Sequence, residues 1–406
     1  MFIPRDLSSE IRSLATQFPA LVLTGARQTG KSSLLRELLP EAPFISFDLP
    51  SVADAASQSP DQFFANASEP IILDEIQHAP QLFRYLKNRI DLDRHRMGRF
   101  YLTGSQKFGL MKELSESLAG RAAILELDTL SSHEILDYPS TADTDLHLFL
   151  WRGGFPELYR NPQLRTQDFY ASYVATYLER DLRSQLRVGS LRDFERFIRA
   201  CAARNAQLLN FTELSRDVGI SISTAREWLS VLEASNQVVL LEPYFANLGK
   251  RLIKSPKLYF RDTGLLSFLL GFDSPEALVR STYLGSVWEC FVLNQILRQK
   301  SASGSAGRIF FLRDVHGNEV DFLFDHNGRL RLAEAKWAEQ PDASSVRSIL
   351  KVHPWLGARA ADEHWLICRT PHSHRLPDAP RIRAVNGFRF WNWFGEALTR
   401  KATDKA

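Results

Sequence analysis

The stretch "ALVLTGARQTGKSSLLRELLP", residues 20–40, constrains the fold of this 406-residue chain more than any other. It begins as an unbroken apolar run, passes through a loop opened by Gly25, and becomes a helix whose leucines Leu34, Leu35, Leu38 and Leu39 end at Pro40. A short strand that is apolar on both faces is the mark of a parallel sheet covered by helices on each side. The loop Gly25-Ala26-Arg27-Gln28-Thr29-Gly30-Lys31-Ser32, followed by Ser33, fits the pattern GxxxxGK(S/T) in the strand-then-helix setting that gives the pattern its meaning. Its glycines let backbone N–H groups approach phosphate oxygens, Lys31 neutralises β and γ charges, and Ser32 can hold Mg²⁺. ATP and Mg²⁺ are therefore the expected ligands. A chance Gly-Lys loop is the alternative that this context disfavours.

A second buried run, "PIILDEIQ", ends in Asp74-Glu75. At the end of a strand beside the phosphate loop, Asp74 reaches Mg²⁺ through water and Glu75 polarises the attacking water. Taken alone the pair would be an ordinary exposed acidic strand end. The strands "FISFDL" and "RFYLTGSQ", with the amphipathic helix "QLFRYLKNRI" between "PIILDEIQ" and the latter, complete an alternation that predicts a doubly wound α/β sheet.

Near the other end, "GNEVDFLFDHNGRLRLAEAKW" (317–337) reads as a hairpin with acids where strands seldom carry them. Asn327-Gly328 between two apolar runs is a strong signal for a two-residue type I′ turn. In the register that turn sets, Asp321 lies opposite Glu334. Facing like charges need something positive between them, and a divalent metal is one candidate. The same register pairs Glu319 with Lys336, an ordinary cross-strand salt bridge that needs no chemistry. The hairpin alone leaves both readings standing. Glu289, in the almost wholly apolar helix "LGSVWECFVLNQIL", favours the first, because a buried carboxylate requires a partner.

Helix with Glu289, strand, strand with Asp321, then strand with Glu334-x-Lys336 resembles the restriction-endonuclease-like PD-(D/E)xK superfamily. That resemblance implies that Asp321 and Glu334 hold Mg²⁺, with Glu289 as the helical acid, and that Lys336 activates the attacking water or stabilises the phosphate. The chain as a whole resembles a family of bacterial and archaeal AAA-type ATP-binding proteins with a nuclease-like C-terminal domain. "LTGARQTGKSSLL", "IILDEIQ", "YLTGSQ", "LAGR", "GGFPE", "YLERDL", "KSPKLYFRDTGL", "EVDFLF" and "AEAKW" stand in the order expected of it. The family resemblance implies a γ-phosphate sensor at Thr103 or Ser105, and a finger or sensor role for Arg121, which also fits a plain surface arginine. A finger supplied by a neighbour would make the protein a homo-oligomer.

Four segments follow: an AAA-type core (1–138), a helical linker (139–190), a winged helix-turn-helix (191–272) and a nuclease-like α/β domain (273–406). The tyrosine and leucine stripe of "DFYASYVATYLERDLRSQL" has the spacing of a packing face, while Arg180 and Asp181 suit either a polar contact to the nucleotide or a solvated surface. "LLNFTELSRDVGISISTAREWLSVLEASNQVVLLEPY" reads as helix, Gly219 turn, helix and strand, with Ser221 as N-cap and Ala225, Trp228, Leu229 and Leu232 as the buried stripe. The exposed side of its second helix, with Ser223, Thr224, Arg226 and Glu227, is poor in positive charge. The stretch "GKRLIKSPKLYFR" brings Lys250, Arg251, Lys254, Lys257 and Arg261 without an acid, which suits phosphate contacts to DNA.

A net charge of +3 argues only for local nucleic-acid footprints. Cys201, Cys290 and Cys368 are far apart and show no zinc spacing, as expected of buried thiols in a reducing cytoplasm. No apolar run approaches the roughly 20 residues of a membrane helix. The expectation is a cytoplasmic ATPase that couples ATP to a DNA-binding winged helix and a nuclease-like domain. The alternative is a regulatory ATPase whose inactive C-terminal domain binds a protein partner.

Overall fold

Strand β1 (Ala20–Thr24) is buried along its whole length, and its side chains divide between two apolar layers. Leu21 and Leu23 pack with Leu7, Ile11, Leu34 and Leu35 from the helices Ser8–Ala15 and Lys31–Leu38. Ala20 and Val22 face the other way, toward Ala53, Phe64, Leu86 and Ile90 from the helices Pro50–Gln58, Pro60–Ala65 and Leu82–Leu92. That alternation follows from the two-residue period of a strand. β1 sits between β4 (Phe100–Gly104) and β5 (Ala122–Glu126) in a five-stranded sheet of order β2-β3-β4-β1-β5, with β2 at Phe44–Ser46 and β3 at Ile71–Asp74. Every pairing in it is parallel, so all strand ends point the same way. The structure described here is a computed structural model and covers residues 2–105, 116–141, 144–177, 191–245 and 253–389. Arg180, Asp181, Lys250, Arg251 and most of "FRFWNWF" lie outside these residues.

The next part is mainly helical. Leu146–Arg152 packs against Thr263–Leu269 and Pro275–Val279, so segments far apart in sequence close on one another. Asp262 is the hub: its carboxylate accepts from Gly154 N (2.8 Å), Thr129 Oγ1 (2.9 Å), Tyr170 Oη (2.8 Å) and the amides of Gly264 and Leu265. Helices Phe211–Val218 and Ile222–Ala234 meet at Gly219, whose φ of 83° lies in the left-handed region. Ser221 caps the second helix by accepting from Thr224 N, and Ala225, Trp228, Leu229 and Leu232 are buried as its spacing requires. Beside them β6 (Gln207–Leu208), β8 (Lys257–Phe260) and β7 (Val238–Leu241) form a small antiparallel sheet in that order.

The C-terminal sheet has the order β13-β14-β12-β11-β10-β9. Its strands are β9 (Arg308–Arg313), β10 (Glu319–His326), β11 (Arg329–Ala335), β12 (His364–Cys368), β13 (His374–Leu376) and β14 (Ala379–Asn386). Phe322, Phe324, Ala333 and Ala335 face the long helix Leu284–Ala302, while Val320, Leu323, Leu330 and Leu332 face Ile349 and Val352. The edge strand β9 is covered, since Glu242, Tyr244 and Ile253 exchange backbone hydrogen bonds with Phe311 and Arg313. Among the described residues no helix is long and apolar enough to cross a membrane.

Two arginines fasten the halves together. Arg261, at the end of β8, bonds Asp128 at 2.6 and 2.7 Å and Glu126 at 2.8 Å, beside the end of β5. Arg298 donates to Thr129 Oγ1 from the long helix, and Ser301 Oγ donates to Glu126 O. Arg261 and Lys257 were expected to serve phosphate contacts. Both are instead held in internal ion pairs, because β8 runs through the interior and a desolvated cation needs an acid beside it. Arg261→Met is expected to lower stability by about 2–4 kcal/mol, by leaving two partly buried acids without their cation. Urea unfolding measures that loss.

Candidate nucleotide site and carboxylate centre

The loop between β1 and the helix Lys31–Leu38 is shaped by residues with positive φ, Gly25 (143°), Gln28 (61°) and Gly30 (93°). A Cβ on Gly25 would lie 2.2 Å from Leu127 O, so no other residue fits there. Lys31 folds back over the loop, its Nζ donating to Gly25 O (3.0 Å) and Ala26 O (2.8 Å). Burial draws its ammonium down to about 8, against the opposing pull of Glu75 and Asp74. Ser32 Oγ donates to Asp74 Oδ1 at 2.6 Å.

The parallel register brings the other groups to the same edge, since Thr24 pairs with Gly104, Leu73 with Leu102 and Ser46 with Asp74. Asp74 also accepts from Thr103 Oγ1 (2.7 Å) and Ser46 Oγ (3.2 Å). Glu75 lies in the left-handed region at φ 53°, its N–H donating to Thr103 Oγ1. Its carboxylate accepts from Ser105 N and Oγ and from Gln77. Burial works to raise the Glu75 carboxyl, but Lys31, Gln77 and Ser105 together hold it below its ordinary value. A cleft of ≈ 450 Å³ opens over Arg27, Gln28, Lys31, Ser32 and Glu75. A larger one of ≈ 780 Å³ lies between Ser33, Thr29 and the helix Thr166–Tyr177, with Ile3, Phe169 and Tyr173 on its walls. A hydroxyl and a carboxylate in contact at the mouth of a phosphate loop form a donor set that suits Mg²⁺.

Arg121 stands elsewhere. It precedes β5, whose Ala122 pairs with Ala20, at the sheet edge opposite the loop, where it grips Asp91 at 2.6 and 3.0 Å. Of the roles expected for it, contact with the nucleotide of its own chain is the one this place does not suit, because parallel strands put the start of β5 a strand length away from the end of β1. Arg5 takes a place that sequence reasoning missed. Its guanidinium donates to Thr29 O and Asp128 O, each at 2.7 Å, and to Glu134 at 3.0 Å. No pattern around "FIPRD" signals that role.

In the hairpin, Asn327 (φ 50°) and Gly328 (φ 79°) both have positive φ, as a type I′ turn requires, and Phe322 pairs with Ala333 in the expected register. Asp321 and Glu334 therefore meet: Asp321 N donates to Glu334 Oε2 at 3.4 Å, and Asp321 Oδ2 accepts from Ala335 N at 2.9 Å. Lys336 Nζ lies 3.8 Å from Glu334. The alternative pairing of Glu319 with Lys336 is replaced, because Glu319 bonds Arg313 and Lys257. Lys257 from β8 enters among the acids, 2.9 Å from Glu289, in contact with Glu319 and 4.0 Å from Asp321. Tyr259 Oη, two residues along the same strand face, also donates to Glu289. That i, i+2 pair is the signal in "KLYF" that could have revealed it.

Burial pushes Glu289 up to about 7, helped by Asp321 and opposed by Lys257. Burial and the neighbouring Asp321 likewise raise Glu334 well above the carboxylate range. Asp321 is held low, since Lys257 and the Glu334 hydrogen bond outweigh its burial. The two carboxyls titrate as one coupled pair. Carboxylates of this kind suit a hard cation in chemistry. Among the described residues, however, no group of three or more His, Cys, Asp or Glu side chains stands ready to hold a metal ion.

Comparison with known proteins places this geometry. The family described as an AAA domain matches residues 17–136, and two domains of unknown function, DUF8612 and DUF4143, match 143–276 and 284–386. Residues 17–136, which hold the phosphate loop and the Asp74-Glu75 strand end, are thus similar to an AAA-type P-loop ATPase domain. Uncharacterized proteins of Mycobacterium tuberculosis and Mycobacterium bovis are each 36% identical to this chain over 389 residues, which is 94% of its length and 83% of theirs. The chain belongs to their family. Among solved structures, the Walker-type ATPase PABY2304 of Pyrococcus abyssi is similar at a TM-score of 0.46 and 18% identity, covering 66% of this chain and 96% of that one. The RuvB Holliday junction branch migration motor of Thermotoga maritima gives 0.29 and 15%, covering 59% and 90%.

Thr103 is the residue on which both acids of the nucleotide site hang. Thr103→Val preserves shape but removes a donor to Asp74 and an acceptor for Glu75 N. It is expected to cost about 1–3 kcal/mol in chemical denaturation.

Proposed function

We propose that this chain is an ATP-hydrolysing switch that governs a Mg²⁺-dependent phosphodiester-cleaving centre acting on DNA. One observation carries the reading. Asp321, Glu334 and Lys336 converge on one cluster with Glu289, and the helix that bears Glu289 is bonded to the ATPase sheet through Arg298 and Ser301. The working parts are the core at 1–138, the linker at 139–190, a winged helix at 191–272 and the nuclease-like domain at 273–406.

At the first centre, the amides from Gly25 to Ser33 would receive the phosphates, and Lys31, released from the carbonyls of Gly25 and Ala26, would neutralise their charge. Ser32 and Asp74 would hold Mg²⁺, which supplies charge neutralisation for the leaving phosphate. Glu75 orients the attacking water, and Ser105 and Gln77 keep its carboxylate ionised and aimed. Arg121, on the opposite edge, suits a neighbouring copy in a homo-oligomer better than its own site. At the second centre Asp321, Glu334 and Glu289 do not stand together as a ready metal set, since Lys257 lies between Glu289 and Asp321; brought together they would hold a divalent ion, and Lys336 would stabilise the phosphate. DNA contact falls to Ser223, Arg226 and Lys254, which lie on the surface of the winged helix. A second reading is favoured by Lys257 among the acids: a non-cleaving regulatory domain that binds a protein partner.

Glu75→Gln is expected to reduce ATP turnover roughly 10²–10⁴-fold while ATP still binds, as read by phosphate release beside equilibrium binding. ATP affinity should hold steady below about pH 8 and fall above it, because Lys31 loses its proton near there in the free chain and must regain it to bind phosphate. Calorimetry in two buffers would register that proton uptake. Plasmid and single-stranded DNA should be cut in Mg²⁺ or Mn²⁺, and cutting should disappear in Glu334→Ala and Lys336→Ala with ATP turnover intact. No cutting by the wild type under any nucleotide condition would defeat the nuclease reading and leave the ATPase standing.

A further inference from the structure

Lys257 lies outside the motif that defines the carboxylate centre, yet it is more deeply buried than any of the acids it meets, with its side chain 2% exposed. Its Nζ contacts Glu289 and Glu319 and faces Asp321 at 4.0 Å, and the aromatic ring of Phe311 closes another side. An ammonium so desolvated persists only because several carboxylates surround it, and their pull outweighs its burial. Glu289 and Asp321 are the same acids that a divalent ion at this centre would need. One compact cation already occupies the space between them.

We infer that Lys257 is a built-in counter-ion which competes with divalent metal for Glu289 and Asp321, so that the centre takes up metal only when the Lys257 ammonium withdraws. The inference rests on the metal-binding reading of Asp321 and Glu334 given above. The withdrawal has a structural route. β8 carries Lys257 at its first residue, and the arginine that follows its last residue is Arg261, which is locked to Asp128 beside the nucleotide domain's β5. Asp128 O in turn accepts from Arg5, whose guanidinium also holds Thr29 O of the phosphate loop. A shift of the loop therefore bears on the strand that places the ammonium. No covalent step is involved, only exchange of one cation for another on fixed carboxylates.

The test is Mn²⁺ binding to the full chain without nucleotide, followed by the electron paramagnetic resonance of free Mn²⁺. Lys257→Met is expected to bind Mn²⁺ roughly 10–100-fold more tightly than the wild type, with the gain abolished when Asp321→Asn is added. Arg313→Met removes a cation that pairs with Glu319 at 2.8 Å and is not bonded to Glu289 or Asp321, and should change affinity by less than about three-fold. Glu319→Gln, which frees Lys257 to bear more fully on Glu289 and Asp321, should weaken Mn²⁺ binding. It also keeps the test open if Lys257→Met fails to fold. Wild-type binding that is lost in Asp321→Asn but unchanged in Lys257→Met would overturn the competition and leave the metal site intact. Equal gains from Arg313→Met and Lys257→Met would reduce the effect to general charge and overturn it too. A folded Lys257→Met protein that binds no Mn²⁺ through Asp321 would overturn both the competition and the metal reading.

Discussion

Drawing two cations out of water at the two ends of one short strand is the constraint around which this chain is arranged. Lys257 at the start of β8 is almost wholly removed from water and Arg261, just past its end, is largely so, and a desolvated charge survives only beside acids held in position. The acids come from opposite directions. Glu289, Glu319 and Asp321 belong to the C-terminal sheet and its long helix, whereas Glu126 and Asp128 lie at the end of β5 in the five-stranded sheet. The two cations draw acids from both halves, which ties the contact between them to the solvation of Lys257 and Arg261.

The nucleotide site depends on a simpler rule. Parallel strands deliver their ends to one edge, so Ser32, Asp74, Thr103 and Ser105 meet although they lie far apart in sequence. The same rule explains why Arg121 is remote, since it stands where a strand begins. Thr103 joins the two acids by serving as donor to one and acceptor from the backbone of the other.

What was legible in the sequence is what depends on neighbours in the chain. The glycine pattern from Gly25 to Ser32, the apolar strands, and the turn at Asn327-Gly328 with its register all rest on local spacing, and the structure has them. The facing of Asp321 and Glu334 followed from that turn. Long-range partners were not legible. Arg5 reaches Glu134 across 129 residues, and Lys257 looked like a member of a basic run open to solvent. Charge signs along a segment say nothing about burial until strand direction is known, and an alternation as short as "KLYF" fits many surroundings.

The pairing of Arg261 with Asp128 spans 133 residues and so bears on how the protein is made. The strands of the first sheet precede β8 in the chain, so Glu126 and Asp128 are made before their cation. The acids at the end of β5 acquire Arg261 only after β8 has been made, and the Arg298 contact only after the long helix. Local opening in the finished protein should run along the same seam, separating units that formed at different times during synthesis.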